Sequence, residues 1–215
     1  MATQQGCKGL WFAVWTGSVL LAAGCTGTPP RADRYIPPPV GASWTYQVTS
    51  TGSFGNTDKM VVPTRYSRAE FEGRPVLKFE NPSGGTLQTD RVGVIVDFDS
   101  AGRPQMRYDP PLGYEWPLVV GKTWTQQLQL TVGGKTTTPM TAQWQVEAYE
   151  DVTVPAGTFK SWRVSFTDNF GFKQTTWSVP VELGIFARRV SERPAGHPQG
   201  AGTQLVELLA APTVK

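Results

Sequence analysis

The sequence predicts an all-β domain, and three observations carry that prediction. Hydrophobicity alternates with a period of two. Trp124, Leu128, Leu130 and Val132 interleave with Thr125, Gln127, Gln129 and Thr131. Ala142, Trp144, Val146 and Ala148 interleave with Gln143, Gln145 and Glu147, and Trp162, Val164 and Phe166 with Arg163 and Ser165. This is the pattern of a sheet with one face covered and one face wet. Turn-forming residues separate these runs: Gly55-Asn56, Gly84-Gly85, Ser100-Ala101-Gly102 and Gly133-Gly134-Lys135 are hairpin signals. Finally, only 17% of residues are charged, and polarity comes largely from Thr, Ser, Gln and Gly. β-branched and aromatic residues favour strands. No helical period is found beyond residue 24. A short helix at 66–72 or 110–116 is the most the pattern allows. The expected architecture is one mostly antiparallel curved sheet or open half-barrel over residues 40–210.

The chain opens differently. Lys8 precedes an apolar stretch from Leu10 to Ala23, and Leu20-Leu21-Ala22-Ala23-Gly24 leads into Cys25. An apolar stretch of this length is short for a bilayer-spanning helix, which needs about 20 residues, and suits the apolar part of a secretion signal. The arrangement resembles a bacterial lipoprotein signal, although Ala22 stands where that pattern prefers Leu. The resemblance implies that residues 1–24 are a signal peptide. It also implies that Cys25 carries the lipid and anchors the chain to a membrane. Anchoring takes more than one acyl chain, and such lipoproteins carry a diacylglycerol on the thiol. Thr26 after the cysteine implies, by the same resemblance, the outer membrane of a two-membraned cell, facing the periplasm. The other cysteine, Cys7, falls in the leader. The remaining domain then has no thiol, and its stability rests on its core alone.

Residues 25–39 hold Pro29, Pro30, Pro37, Pro38 and Pro39. Proline at this density excludes helix, and the segment reads as an extended tether. Residues 40–210 are long enough for one domain with a single large core. In the first half, Val92, Val94, Val96 and Phe98 share one face of a strand, with Arg91, Asp97 and Asp99 assigned to the other. Val154-Pro155-Ala156-Gly157 is a hairpin turn: Pro155 ends a strand by lacking a donor, and Gly157 supplies a positive φ. Arg193 to Gly202 reads as a mobile loop, and Gln204 to Leu209 as a final strand.

A repeat underlies this order. Val40-Gly41-Ala42-Ser43-Trp44-Thr45 matches Val120-Gly121-Lys122-Thr123-Trp124-Thr125 at an offset of 80, and Val92-Gly93-Val94-Ile95 echoes Leu183-Gly184-Ile185-Phe186. Two copies of one meander, built into one sheet system, account for it.

These motifs, with Val154-Pro155-Ala156-Gly157-Thr158-Phe159, Val164, Trp177 and Leu183 to Val190, resemble those of bacterial envelope lipoproteins that share a domain of unknown function. The likeness covers most of residues 38–210. It implies a curved β-sheet, distantly like the half-barrels of periplasmic lipoprotein carriers that can hold an acyl chain.

The residues offer little chemistry. Lys and Arg number 20 against 17 Asp and Glu, without runs of one sign, so nucleic acid is not an expected partner. The one histidine, His197, lies among glycine and proline in Pro194-Ala195-Gly196-His197-Pro198, a poor place for a positioned imidazole. With no thiol in the domain, zinc and copper lose their usual ligands. Asp97-Phe98-Asp99-Ser100-Ala101-Gly102 begins like a calcium loop, but Tyr108 stands where a bidentate glutamate is required. No catalytic residue, metal or cofactor is therefore expected, and the chain is read as a non-enzyme. Trp44, Trp124, Trp144, Trp162 and Trp177 have two readings. They either pack a core or line a concave face that binds an apolar ligand such as a lipid. The expected function is accordingly an envelope lipoprotein that binds an apolar molecule. The alternative is a structural or protein-interaction lipoprotein with a closed core.

Overall fold

Alternating strands joined by tight turns pair with their neighbours in sequence. Twelve of them here run in chain order around a closed barrel. The computed structural model describes residues 30–214. Its elements are β1 (Arg31–Ala32), β2 (Ser43–Gly52), β3 (Thr57–Phe71), β4 (Arg74–Asn81), β5 (Gly84–Gln88), β6 (Gly93–Asp99) and β7 (Pro104–Gly113). They continue with β8 (Leu118–Val119), β9 (Thr123–Val132), β10 (Thr136–Val154), β11 (Gly157–Asp168), β12 (Lys173–Val179), β13 (Ile185–Arg193) and β14 (Gly202–Thr213). Every ladder is antiparallel, and β1 pairs with β8 outside the barrel. No helix is found among the described residues, and both short-helix positions expected from sequence overlap strands.

The all-β antiparallel class agrees with the sequence, but the sheet is not an open half-barrel. β14 pairs with β2, from Gly202 opposite Gly52 to Leu208 opposite Tyr46. β7 pairs with β9 from Met106 opposite Val132 to Asp109 opposite Gln129. Closure removes the unpaired edges that an open sheet would expose.

The repeat falls on equivalent places in two six-stranded halves, β2–β7 and β9–β14. In the first, Gly41 N–H donates to Tyr66 O and Tyr66 N–H to Ala42 O. In the second, Gly121 N–H donates to Val146 O and Val146 N–H to Lys122 O. Each opening places its tryptophan, Trp44 or Trp124, in the buried phase of the first strand. The Val92 and Leu183 motifs both lead into the fifth strand of their half, β6 and β13.

Gly84-Gly85, expected as a turn, belongs to β5. A Cβ on Gly84 would lie 2.0 Å from Phe98 O, and one on Gly85 would lie 2.1 Å from Phe79 O. The two glycines permit close backbone approach between strands, and the turn lies at Pro82-Ser83.

The segment read as a tether is structured from Arg31 onward. Ala32 and Pro38 are buried. Ile36 N–H donates to Pro180 O at 2.9 Å, and the Tyr35 hydroxyl donates to Gly184 O. The proline density that excludes helix suits an extended strip laid on a barrel. Gly184 has φ +64°, and a Cβ there would sit 2.3 Å from Ile36 O. Gly184→Ala is therefore expected to cost roughly 1–3 kcal/mol in backbone strain and to release this strip. Limited trypsin digestion after Arg34 should accelerate, and an unchanged cleavage rate would show that the strip is not held by this contact.

Two apolar clusters of buried residues lie along the barrel. One gathers Trp124, Trp144, Phe166, Leu128 and Met140. The other gathers Trp44, Tyr46, Tyr66, Leu208 and Ile185. Tyr35 packs against both.

Candidate functional site: the barrel lumen

An eight-stranded barrel is just filled by its own side chains, and a larger strand number leaves space. Twelve strands here enclose a lumen of about 540 Å³ between the two clusters. A second lobe of about 230 Å³ adjoins it, sharing Met106, Tyr108, Leu112, Phe166, Phe172 and Arg193 with the first. The larger lobe's lining extends to exposed Met60 and Ser83. Its volume lies within the roughly 300–1,000 Å³ of small-molecule sites.

Aromatic rings share the wall with aliphatic and uncharged polar side chains, Gln174, Thr176, Ser178 and Ser191 among the latter. Trp144 packs against Phe166 with the rings tilted at 34° and their centroids 4.5 Å apart, and meets Tyr114 edge-on at 5.7 Å. Tyr46 stacks on Phe186 at 4.5 Å and 8°, and its hydroxyl donates to Phe186 O at 3.0 Å. Burial pushes the phenols of Tyr35, Tyr46, Tyr108 and Tyr114 upward, so all four are neutral hydrogen-bonding groups.

Three charged residues line this wall, and sequence reasoning placed none of them there. Simple alternation puts Asp97 on the wet face of its strand with Asp99, and Phe98 on the opposite face with Val92, Val94 and Val96. The β6–β7 ladder shifts register between Val94 and Val96 and again between Asp97 and Phe98. A bulge inverts the phase of the residues beyond it. Val92, Val94 and Asp97 consequently line the lumen together. Phe98 lies beneath the Lys78 ammonium, 5.6 Å from its ring centre. Asp99 remains at the turn, bonded to Arg103. Burial raises the Asp97 carboxyl to about 6, against a hydrogen bond from Tyr108 and the field of Arg189. The Tyr108 hydroxyl reaches Asp97 Oδ2 at 3.3 Å.

The second charge is Arg189. The adjacent arginines of β13 point to opposite faces, as neighbours on a strand must. Arg188 faces outward, bonds Glu207 Oε1 at 2.6 Å and covers Trp177 at 5.7 Å. Arg189 lines the lumen with its guanidinium 4.1 Å above the Phe186 ring centre. Its Nε is buried without a hydrogen-bond partner, and no carboxylate among the described residues forms an ion pair with it. Burial lowers its pKa, but a guanidinium stays charged in proteins. The third charge, Arg193, follows four residues on. It lies 3.9 Å above Phe54 and donates to Ser53 O.

The five tryptophans singled out from sequence divide. Trp44 and Trp144 line the lumen. Trp124 stacks behind Trp144 at 5.3 Å and 6°. Trp162 is buried against Tyr149 at 4.7 Å. Trp177 is half-buried beside Arg188 and donates its indole N–H to Glu150 Oε1 at 2.9 Å. Trp177 occupies the outward phase of β12, in which Gln174, Thr176 and Ser178 face the lumen. Cys25 lies outside the described residues. His197 stands at the rim of the smaller lobe, 6.5 Å from the Phe172 ring. Among the described residues no group of three or more His, Cys, Asp or Glu converges on a metal position.

The outside of the barrel is polar. Thr125, Gln127, Gln129, Gln143 and Gln145 are exposed. Arg163 pairs with Glu150 at 2.9 Å, and Lys78 and Arg65 both pair with Glu80. A membrane-spanning barrel presents an apolar band outward and a polar lumen, and these strands are arranged the other way.

No protein-family model matches the chain, and no curated protein sequence matches it. Among solved structures, it is similar to a protein of Bacteroides fragilis named as exported and as having a YmcC-like fold. That likeness has a TM-score of 0.48 at 13% identity and covers 83% of this chain and 99% of that one. It is also similar to a protein of Parabacteroides distasonis named as a lipoprotein, with a TM-score of 0.41 at 9% identity, covering 83% and 98%. Similarity at this level bears on neither family nor function.

Proposed function

We propose that this chain is a lipid-anchored envelope protein without catalytic activity, whose barrel holds an apolar molecule such as a lipid. The observation that carries this reading is the lumen itself. It is a space of about 540 Å³ lined mostly by aromatic and aliphatic side chains, inside a barrel whose outer face is largely polar. Such a barrel stays in water while offering an apolar interior. The sequence around Cys25 supports attachment to the outer membrane through an acylated thiol, facing the periplasm. The non-catalytic part rests on the residue inventory: the one histidine, His197, stands at the rim of the smaller lobe, away from Asp97 and Arg189. No cofactor is part of the reading.

Native mass spectrometry of residues 30–214 purified from cells tests it. This span contains every strand and both partners of every ladder. A co-purified lipid-sized adduct is expected. A protein that emerges empty and fails to take up a fluorescent fatty acid would overturn the binding reading. A second reading, a structural or protein-docking lipoprotein, would then stand. Its support is the closed barrel and the dense Trp124–Trp144–Phe166 stack. Separately, the intact mass of the membrane-extracted full chain is expected to show an acylated Cys25 at its N-terminus. A mass without acyl groups would contradict the anchor.

A further inference from the structure

We infer that the lumen selects a carboxylate amphiphile, with Arg189 as the counter-ion for its head and the aromatic wall as the site for its chain. This deepens the binding reading above and rests on it. Four observations support it. Arg189 lines the larger lobe and has no ion-pair partner among the described residues, whereas its neighbour Arg188 is paired with Glu207. A cation kept in an apolar enclosure without a partner is costly, and an anionic occupant removes that cost. The guanidinium carbon sits 4.1 Å over the centre of the Phe186 ring, which itself stacks on Tyr46. That arrangement leaves its planar edge for a planar two-oxygen group, the geometry that suits arginine to carboxylate. Tyr114, a phenol that burial keeps neutral, lines the same lobe and is a further donor to an anion. The apolar part of the lining, Trp44, Trp144, Val48, Val62, Phe79 and Phe166 among it, suits a hydrocarbon chain.

The charge count favours a carboxylate over a phosphate monoester. The lining carries two guanidiniums, Arg189 and Arg193, and one carboxylate, Asp97, a net single positive charge that one negative charge balances. A dianion would leave excess charge in a lumen that already holds Asp97. Arg193 is less suited to be the anchor, because it is engaged with Ser53 and Phe54 near the turn between β2 and β3.

Calorimetric titration of residues 30–214 with dodecanoate, dodecanol and dodecyl phosphate tests this. All measurements stay below the micelle concentration, and folding is checked by circular dichroism. Dodecanoate is expected to bind at least ten times more tightly than dodecanol and more tightly than dodecyl phosphate. Arg189→Met, which keeps an unbranched side chain, should erase the preference for dodecanoate while leaving dodecanol binding in place. Arg189→Lys should keep part of the preference, and Arg193→Met all of it. Equal binding of acid and alcohol by the wild-type protein would overturn the inference and leave the apolar-binding reading intact. So would a preference that survives Arg189→Met. Tighter binding of dodecyl phosphate would overturn the carboxylate assignment. If none of the three ligands binds, the apolar-binding reading fails and the inference fails with it.

Discussion

Trp144→Ala should be the most damaging single substitution in the barrel, destabilising it by about 3–5 kcal/mol, the range for truncating a buried tryptophan. Trp144 is 6% exposed and stands at the centre of a run of rings. Trp124 lies parallel on one side at 5.3 Å, Phe166 lies at 4.5 Å and Tyr114 meets it edge-on. Aromatic pairs of this kind add about 0.5–1.5 kcal/mol to simple burial. The lumen on its other side already leaves space, so part of the new cavity merges with an existing one, and the lower end of the range is expected. A domain's whole stability is roughly 5–15 kcal/mol, so the loss should be plain in urea unfolding. Trp177→Ala provides the contrast. That ring lies half-buried outside and is held by one hydrogen bond and a stacked guanidinium, together worth about 1–2 kcal/mol. Equal losses from the two substitutions would contradict the division of the tryptophans between inside and outside.

Asp97→Asn should stabilise the barrel at neutral pH by about 3 kcal/mol. The folded protein holds the Asp97 proton up to about 6, against an ordinary value of 3.8, and each pH unit of difference is worth about 1.4 kcal/mol. The direction follows from proton binding. Between these values the folded state binds more protons than the unfolded one, so the contribution of Asp97 is most favourable below about pH 4 and is lost as pH rises through about 6. Glu72, Glu80 and Asp99 are held below their usual values by hydrogen bonds from Arg107, Lys78 and Arg103. They act in the opposite sense, adding stability as pH rises above their folded values. The diagnostic quantity is therefore the stability difference between Asp97→Asn and the wild-type protein at each pH. It should be near zero at pH 4 and should grow to its full value by pH 7. A difference independent of pH would mean that Asp97 is not buried in the lumen.

Period-two alternation and turn residues were enough to read the all-β class, the antiparallel order and the two-half repeat. Trp44 and Trp124 could be matched because each follows the same Val-Gly turn and enters its strand in the same phase. Closure could not be read, because it depends on β14 meeting β2, a pairing between the two ends of the sheet that no local pattern encodes. The lumen charges were hidden for a different reason. A bulge in β6 inverts the phase after Val94, so simple alternation from Val92 sends Asp97 to the wrong side. Arg189 was readable in principle. In Arg188-Arg189 one of two adjacent strand residues must face in, and an inward arginine among apolar neighbours is itself a signal. The strip at residues 31–39 reads as a tether from sequence because its prolines exclude helix. The seating of Tyr35 and Pro38 depends on a surface offered by the β12–β13 connection far along the chain.

The central claim is that the lumen holds an amphiphile, and quenching of tryptophan fluorescence by a dibrominated stearic acid tests it most directly. Bromine quenches only on near contact, and Trp44 and Trp144 are the tryptophans that line the chamber. Titration of residues 30–214 should give saturable quenching at one equivalent per chain. Unbrominated stearate should reverse it, and Arg189→Met should weaken it. Quenching that rises linearly without saturation, or none at all, would contradict the claim and leave a barrel whose interior serves only its own packing.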